Sequence, residues 1–251
     1  MHIMLTNDDG FGAPGLQALI DEAVRRGHRV SVCAPDGERS AASHSITLRR
    51  GIGVKHMHMP GAETALAADG TPADCARLGL YLIRDVDMVI SGINNGSNMG
   101  GACIYSGTVA AATEASQSGA PALAVSVLGR DHEDLAATAH IALNVAEWMR
   151  EHPLPRGEIY NLNVPCLPLG EIRGVKAADL AMSYMDDPYY REIETPEGTL
   201  YAYGHGVDSV PGVAPDSDVA VTEDGWAALS IISWNLQSRL PAPDTRAIPF
   251  P

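Results

Sequence analysis

The stretch MHIMLTNDDGFGAPG, residues 1–15, decides the fold of this chain. It begins with an apolar run that contains one histidine, and such a run predicts a short buried β-strand. The run stops at two adjacent carboxylates, Asp8 and Asp9, and a turn rich in glycine follows. Pro14 suits the first turn of a helix, and apolar residues recur at helical spacing over residues 16–23. Strand, acidic turn and helix together form the first half of a βαβ unit.

In an open α/β sheet such a turn lies at the carboxyl ends of the strands, where ligands bind. If Asp8 and Asp9 face one cleft, they repel each other by about 4 kcal/mol at ~4 Å and a surface-like dielectric. The repulsion is relieved if the side chains point apart, if one takes up a proton, or if a cation lies between them. Mg²⁺, Mn²⁺ and Ca²⁺ favour such oxygen ligands. The alternative is that the carboxylates merely cap the helix that follows.

Further apolar runs predict an α/β chain. The predicted strands span residues 29–34, 65–68, 86–90, 122–127, 158–164 and 226–233. Thr71 and Pro72 open one helix as its N-cap and first-turn proline. Residues 182–206, rich in tyrosine, predict either an extended hairpin that pairs with another subunit or a local surface flap. Residues 236–251, with four prolines, predict a tail that packs on another element.

The composition argues against several classes of function. With 31 acidic and 17 basic side chains in 251 residues, the formal charge is −14, so the surface should repel nucleic-acid polymers. We expect no signal peptide and no membrane span, because no basic segment leads into a long apolar stretch. The four cysteines are scattered without a Cys-x-x-Cys pair, so we expect reduced thiols in a cytoplasmic protein.

A second polar loop follows the predicted strand at residues 86–90. Residues 91–101 hold three asparagines and four glycines, so the backbone can take positive φ and approach a ligand closely. Ser106 is predicted to cap a helix that begins near Val109, and the free N–H groups at its start form a ready anion site. The alternative is an ordinary long turn.

Other phosphate-handling and hydrolytic motifs fit less well. Residues 10–15 match the G-x-G-x-x-G pattern of dinucleotide sites, but the two preceding carboxylates would face the pyrophosphate. The sequence contains no Gly-Lys pair, which excludes a P-loop, and no Gly-x-Ser-x-Gly elbow. An aspartyl-phosphate hydrolase needs a supporting lysine, and neither Lys55 nor Lys176 stands beside a predicted core strand end. A covalent aspartyl intermediate is therefore not expected.

Several segments taken together resemble the survival protein SurE family, which are metal-dependent 5′/3′-nucleotidases. In the order of the family they are residues 6–10 with 13–15, 34–36 with 40–48, 70–75, 91–94 with 98–100, 105–109, and 161–165. The combination is highly specific, although each segment alone is not. The family commonly carries acidic residues between Gly100 and Tyr105, and this chain has none there. Beyond about Pro168 the match is faint.

The resemblance implies a Rossmann-like three-layer α/β sandwich with a mostly parallel sheet. We expect a single domain over residues 1–251, with the site in a core at residues 1–130. A protruding hairpin at about residues 180–210 and the tail at 236–251 would form a C-terminal extension. Because members of the family exchange C-terminal elements, the resemblance also implies a homodimer or homotetramer.

The resemblance implies a site for one divalent metal ion per subunit, Mg²⁺ or Mn²⁺, which Ca²⁺ could also fill. The implied metal ligands are Asp8, Asp9, Ser40 and Asn94. All four are hard oxygen donors. The implied phosphate pocket consists of Asn98, Ser106, Gly107 and Thr108, with Ala41 near it.

These assignments predict a phosphomonoester hydrolase that acts on nucleoside monophosphates. Asp8 and Asp9 are the predicted catalytic residues. Water activated by the metal would attack phosphorus in line, and Asp9 would orient or deprotonate that water. His44 is a candidate for protonating the leaving ribose oxygen. Two other functions remain open: a nucleotide-dependent oxidoreductase that uses residues 10–15, and a non-catalytic metal or nucleotide sensor on the same scaffold.

Overall fold

A computed structural model of the chain describes residues 1–129, 135–181, 190–203 and 213–235. The predicted tail at residues 236–251 lies outside these ranges, as do residues 182–189 and 204–210 of the predicted hairpin.

The described residues contain eleven strands. They are β1 (His2–Thr6), β2 (Arg29–Pro35), β3 (Val54–His56), β4 (Thr64–Ala68), β5 (Met88–Asn95), β6 (Ala122–Val127), β7 (Glu158–Val164), β8 (Val175–Ala177), β9 (Tyr190–Thr195), β10 (Gly198–Tyr203) and β11 (Ala227–Ser233). Nine of them form one sheet in the order β3-β4-β2-β1-β5-β6-β7-β11-β8. The remaining two, β9 and β10, pair with each other as an antiparallel hairpin.

The six central strands of the sheet, β4-β2-β1-β5-β6-β7, all run parallel. This is the strand order of a doubly wound Rossmann sheet, in which the direction of winding from strand to strand reverses next to the first strand. At one edge β3 adds antiparallel to β4, and at the other β11 adds antiparallel to β7. The sheet is therefore mixed but mostly parallel, which confirms the prediction.

Helices cover both faces of the sheet. The five described α-helices are α1 (Pro14–Arg25), α2 (Pro72–Leu82), α3 (Gly107–Gln117), α4 (Ala136–Trp148) and α5 (Asp218–Glu223). α1 packs beside α4, and α2 packs beside α3. Ile3 and Leu5 of β1 belong to the core on the α1 and α4 side, whereas Met4 belongs to the core on the α2 and α3 side. The alternation along β1 confirms the three layers.

α2 lies very close to the sheet at Gly79. A Cβ built on Gly79 would lie 2.6 Å from the Met4 sulfur and 2.8 Å from the Cys33 Cβ. The helix can hold this position because glycine has no side chain there. At its other end α2 has the predicted start, in which the Thr71 hydroxyl accepts the Asp74 N–H at 3.1 Å.

Within the predicted hairpin at about residues 180–210, the described residues include the two paired strands β9 and β10. β9 and β10 pair from Tyr190 with Tyr203 to Thr195 with Gly198. Elsewhere, no helix among the described residues has the length and apolar character that a membrane span requires.

Replacing Gly79 by alanine should lower the free energy of unfolding by about 1–3 kcal/mol, because the added methyl group overlaps Met4 and Cys33. This loss should occur although alanine favours helix by about 1 kcal/mol over glycine. Urea unfolding measures the change. Gly170→Ala is the control, since a Cβ there meets nothing within 4 Å. A Gly79→Ala variant as stable as the unmodified chain would contradict the close packing of α2.

Candidate active site

The candidate site lies at the point where the winding of the sheet reverses. β1 pairs in parallel with β2 on one side and with β5 on the other, so the carboxyl ends of these strands share one edge. Asp8 and Asp9 follow β1, residues 36–45 follow β2, and Asn94 and Asn95 end β5. Ligands of open α/β sheets bind in this crevice.

Asp8 is buried against the start of α3. Thr108 donates its hydroxyl to Asp8 Oδ1 at 2.5 Å. A Cβ on Gly107 would lie 2.9 Å from Asp8 Oδ2, so glycine is what permits this approach. Burial raises the pKa of Asp8, while hydrogen bonds from the Thr108 hydroxyl and from backbone N–H groups at the start of α3 lower it. The N–H groups at the positive end of the helix therefore offset part of the cost of burying this carboxylate.

Asp9 faces the end of β5. Its Oδ2 accepts the Asn95 backbone N–H at 3.2 Å. Burial, together with the negative charges of Asp8 and Glu38, raises the pKa of Asp9 to about 6, although the Asn95 N–H opposes the shift. Asp9 thus lies in a patch of negative charge with Asp8 and Glu38, and these charges disfavour its ionised form.

The alternative that the paired acids cap α1 is wrong. The N-cap residue of α1 is Ala13, and no side chain accepts a hydrogen bond there. Asp8 instead contacts α3, and Asp9 contacts β5. The acids thus connect β1 to two other segments of the crevice.

The loop after β2 brings Ser40 to the same edge. The Arg39 backbone N–H donates to the Asp8 carbonyl oxygen at 2.7 Å, which ties the residue before Ser40 to the acidic turn. Ser40 donates its hydroxyl to Glu38 Oε1 at 2.6 Å, so lone pairs of the Ser40 oxygen remain for a cation. Farther along the loop, the Ser43 N–H donates to the Tyr105 carbonyl oxygen at 3.0 Å.

Asn94 is presented by an irregularity in β5. The register between β5 and β6 shifts between Ser91 and Asn94. Asn94 Nδ2 donates to the Gly96 carbonyl oxygen at 2.7 Å, which leaves its Oδ1 as the atom that can contact a cation. α1 presses on the same segment, because a Cβ on Gly15 would lie only 2.4 Å from the Ile93 carbonyl oxygen.

The donor chemistry of the four predicted metal ligands fits a hard divalent cation. Asp8, Asp9, Ser40 and Asn94 all offer oxygen atoms, and a cation among them would relieve the repulsion between the carboxylates. Within the described residues, no group of three or more His, Cys, Asp and Glu side chains could hold a metal ion. The predicted set differs from such groups because it has two carboxylates and is completed by a hydroxyl and an amide.

Three of the predicted phosphate-binding residues lie at the start of α3, and two of them, Gly107 and Thr108, adjoin Asp8. Ser106 caps α3 as predicted, since its hydroxyl oxygen accepts the Val109 N–H at 3.1 Å. Gly107 and Thr108 follow it, and the Thr108 hydroxyl is directed to Asp8 rather than outward. Ala41 is exposed in the loop after β2 with a left-handed backbone, φ 55°.

Asn98, the fourth residue of the predicted pocket, is held by a buried amide network. Its backbone N–H donates to Asn163 Oδ1 at 2.8 Å, and its carbonyl oxygen accepts from the side chains of Asn161 and Asn163 at 2.9 Å each. Asn98 Nδ2 donates to the Ser126 hydroxyl at 2.8 Å. The asparagines of β7 therefore fix the loop after β5, a role that the sequence motif at residues 161–165 does not reveal by itself.

His44 has a partner away from the acids. Its Nε2 lies 2.9 Å from Glu114 Oε2, and Arg77 Nη1 lies 3.2 Å from Glu114 Oε1. Glu114 is six residues after Thr108 on α3, which corresponds to about 9 Å along the helix axis. This arrangement ties the loop after β2 to α3.

Two further residues shape the electrostatics of the site without being predicted. The charge of Glu38 raises the pKa of Asp9, and its carboxylate accepts the Ser40 hydroxyl. Its position two residues before Ser40 could have identified it from the sequence. Asn95 donates its backbone N–H to Asp9, and because any residue except proline has this donor, the side chain gives no indication of the contact.

The fold and the site together define a Rossmann-like α/β protein with an oxygen-donor site beside an anion-stabilising helix end. The chain matches the family model "Survival protein SurE" over residues 3–187. It therefore belongs to the SurE family.

Relatives and a solved structure agree with this assignment. The chain is 40% identical to the 5′-nucleotidase SurE of Nitratidesulfovibrio vulgaris, over 92% of this chain and 86% of the relative. It is 39% identical to the 5′/3′-nucleotidase SurE of Serratia proteamaculans, over 94% of this chain and 91% of the relative. The crystal structure of the SurE protein from Aquifex aeolicus superposes with a TM-score of 0.77 at 29% identity, covering 94% of this chain and 95% of that one. The similarity thus continues beyond Pro168.

Asp9→Asn should stabilise the metal-free protein at pH 7, by on the order of 1 kcal/mol. The folded state raises the pKa of Asp9 from 3.8 to about 6, so the folded protein binds a proton more tightly than the unfolded chain. The resulting destabilisation is full above about pH 6 and disappears as the pH falls toward 3.8. The gain from Asp9→Asn should therefore shrink over the same range, as thermal unfolding in the presence of chelator would measure.

Glu22→Gln is the matched control, because it removes the same charge from a carboxylate with the opposite shift. The hydrogen bond from Arg25 is the largest cause that lowers the pKa of Glu22, from 4.5 to about 2. Hydrogen bonds from Arg26 and His140 lower this pKa further, whereas burial opposes the shift. Its contribution is present above pH 4.5 and is lost as the pH falls toward 2, so Glu22→Gln should destabilise the protein at pH 7. If both variants changed the free energy of unfolding in the same direction, the destabilisation assigned to the ionised Asp9 side chain would be refuted.

Proposed function

We propose that this chain is a metal-dependent phosphomonoester hydrolase that acts as a 5′-nucleotidase on nucleoside monophosphates. The observation that carries the proposal is the position of Asp8, which belongs to the acidic turn and contacts Gly107 and Thr108 at the start of α3. Paired carboxylates for a cation and a helix end for an anion therefore adjoin each other at one crevice. The names of the relatives, 5′-nucleotidase and 5′/3′-nucleotidase, support the same activity.

The residues proposed to hold the divalent cation, Mg²⁺ or Mn²⁺, are Asp8, Asp9, Ser40 and Asn94. When bound, the cation supplies Lewis acidity toward the phosphoryl group and the attacking water. Thr108 fixes one oxygen of Asp8 and so orients the carboxylate. Gly96 fixes the amide of Asn94 with its oxygen free.

The residues proposed to hold the phosphate are Ser106, Gly107, Thr108 and Asn98, with Ala41 at the edge. The positive end of α3 would stabilise negative charge on the equatorial oxygens of the phosphoryl group as it is transferred. Ser106 accepts one hydrogen bond as the helix cap and can still donate its own proton to a phosphate oxygen. The buried network around Asn98 keeps that side chain from reorganising during the reaction.

Asp9 is the proposed base. The P–O bond to the ester oxygen breaks while a new P–O bond to the water oxygen forms, and a water proton passes to the Asp9 carboxylate. The nucleoside leaves as an alcohol after it takes up a proton, and inorganic phosphate remains. No phosphoryl group is attached to the protein at any stage. His44 has no assigned proton transfer because its ring is held by Glu114.

The two alternative functions have weaker support. A dinucleotide whose pyrophosphate lay at residues 10–15 would meet the charges of Asp9 and Glu38, which also line that side of the crevice. A sensor without turnover would show metal-linked nucleotide binding without release of phosphate.

We also propose that a second copy of the chain is a partner, in a homodimer or homotetramer formed through C-terminal elements. The described hairpin exposes Tyr190, Leu200 and Tyr201, and these apolar side chains suit a contact between copies.

Phosphate release from AMP with Mn²⁺ or Mg²⁺ tests the proposed reaction. Activity should vanish with chelator, and Asp9→Asn should lower kcat at least about 10²-fold because general-base catalysis is lost. Asp21→Asn removes a carboxylate from the exposed face of α1, where Asp21 bonds Gln17, and should leave the rate unchanged. Turnover that resists chelator, or an Asp9→Asn variant with full activity, would rule out the mechanism.

His44→Gln should keep kcat within about threefold, since a general acid contributes roughly 10²- to 10⁴-fold and His44 is not assigned that role. The pH profile of kcat should also keep its shape. A loss of about 10²-fold, with the alkaline side of the profile altered, would instead make His44 the acid.

A further inference from the structure

A cavity of about 630 Å³ is lined by Asp9, by residues 10–15 up to the start of α1, and by Ile93 and Asn95 of β5. Small-molecule sites in proteins typically have volumes of about 300–1,000 Å³. Asp9 and Asn95 form part of its wall and are joined there by the hydrogen bond between them. The cavity is therefore continuous with the reaction site.

The lining of the cavity has two chemical parts. Its apolar part includes Phe11, Ile93 and Val127, which suit the face of a flat ring. Its polar part includes Asp9 and Glu38, whose carboxylates accept hydrogen bonds from hydroxyl or amino groups. The carboxylates of Asp9 and Glu38 make the described lining negative, so it suits an uncharged group with donors rather than a second phosphate.

Of the three glycines in residues 10–15, two are explained by packing. Gly10 has a left-handed backbone, φ +99°, and its Cβ would lie 2.8 Å from the Gly37 backbone. Gly15 faces the Ile93 backbone, and a Cβ built on Gly15 would lie 2.4 Å from the Ile93 carbonyl oxygen. Gly12 lines the cavity, yet a Cβ there meets nothing within 4 Å, and its φ is not left-handed. Neither strain nor contact with the part of the chain that the structure describes requires glycine at position 12.

We infer that the cavity binds the nucleoside part of the substrate and that Gly12 keeps it open, which rests on the proposed function. A phosphate at the start of α3 lies on the Asp8 side of the paired acids, and the cavity lies on the Asp9 side. The ester oxygen that joins phosphate to ribose then spans the acids. Ribose hydroxyls and base amino groups meet Glu38, and the base lies against Phe11.

Gly12→Leu tests this inference on the full chain with Mn²⁺, because the new side chain fills space without strain. We expect KM for AMP to rise at least about tenfold, and the dissociation constant of free adenosine, measured by calorimetry, to rise similarly. Competitive inhibition by inorganic phosphate should change by less than about twofold, since the start of α3 is untouched. Gly170→Leu is the matched control, because it also adds a side chain where a Cβ meets nothing within 4 Å.

Phe11→Ala provides a second variant, which enlarges the cavity and should weaken adenosine binding without changing inhibition by phosphate. The inference is overturned if Gly12→Leu binds adenosine as the unmodified chain does, or if it weakens phosphate in parallel. It is also overturned if Tyr105→Ala, at the exposed residue before Ser106, weakens adenosine while Gly12→Leu does not. If the unmodified chain released no phosphate from any nucleotide, the proposed function would fail, whereas the adenosine measurements would still decide the role of the cavity.

Discussion

The site depends on the contact between the Asp8 carboxylate and the first residues of α3. A buried carboxylate is costly unless charge or hydrogen bonds compensate it. At Asp8 the Thr108 hydroxyl and the N–H groups at the positive end of the helix offset part of this cost, while burial still raises the pKa. Asp9 has less compensation, because it faces Asp8 and Glu38 with one backbone N–H as partner. This difference supports the proposal that a cation binds between the two acids and that Asp9 is the base.

Much of the geometry around these acids is set by backbone rather than by reactive side chains. Gly107 lets α3 reach Asp8, Gly15 lets α1 reach β5, and Gly10 lets the acidic turn reach the loop after β2. The amides of Asn161 and Asn163 hold the loop after β5 from the neighbouring strand β7. These contacts hold the predicted site residues at the carboxyl ends of the strands, which suits the electrostatic preorganisation that the proposed reaction requires.

The proposed nucleotidase and the proposed nucleoside cavity divide the crevice between its two sides. The Asp8 side has a helix end and hydrogen-bond donors, which suit an anion. The Asp9 side has apolar walls and carboxylate acceptors, which suit an uncharged ring and sugar. A nucleoside monophosphate has these two chemical parts joined by one ester bond, so the polarity of the crevice matches the polarity of the substrate.

The sequence by itself determined the secondary-structure elements and the candidate site residues. Apolar periodicity, the caps at Thr71 and Ser106 and the paired acids are local features, so the strands, the α3 start and the predicted ligands could be read without coordinates. Only the tertiary structure decided which partners these groups have. Burial in that structure raises the pKa of both Asp8 and Asp9. The structure also brings the Thr108 hydroxyl to Asp8, pairs His44 with Glu114, and adds Glu38 and the Asn95 N–H to the site. The reason is physical: burial, hydrogen bonding and charge–charge repulsion depend on distances between residues far apart in the chain, and those distances exist only once the sheet has brought the strand ends together.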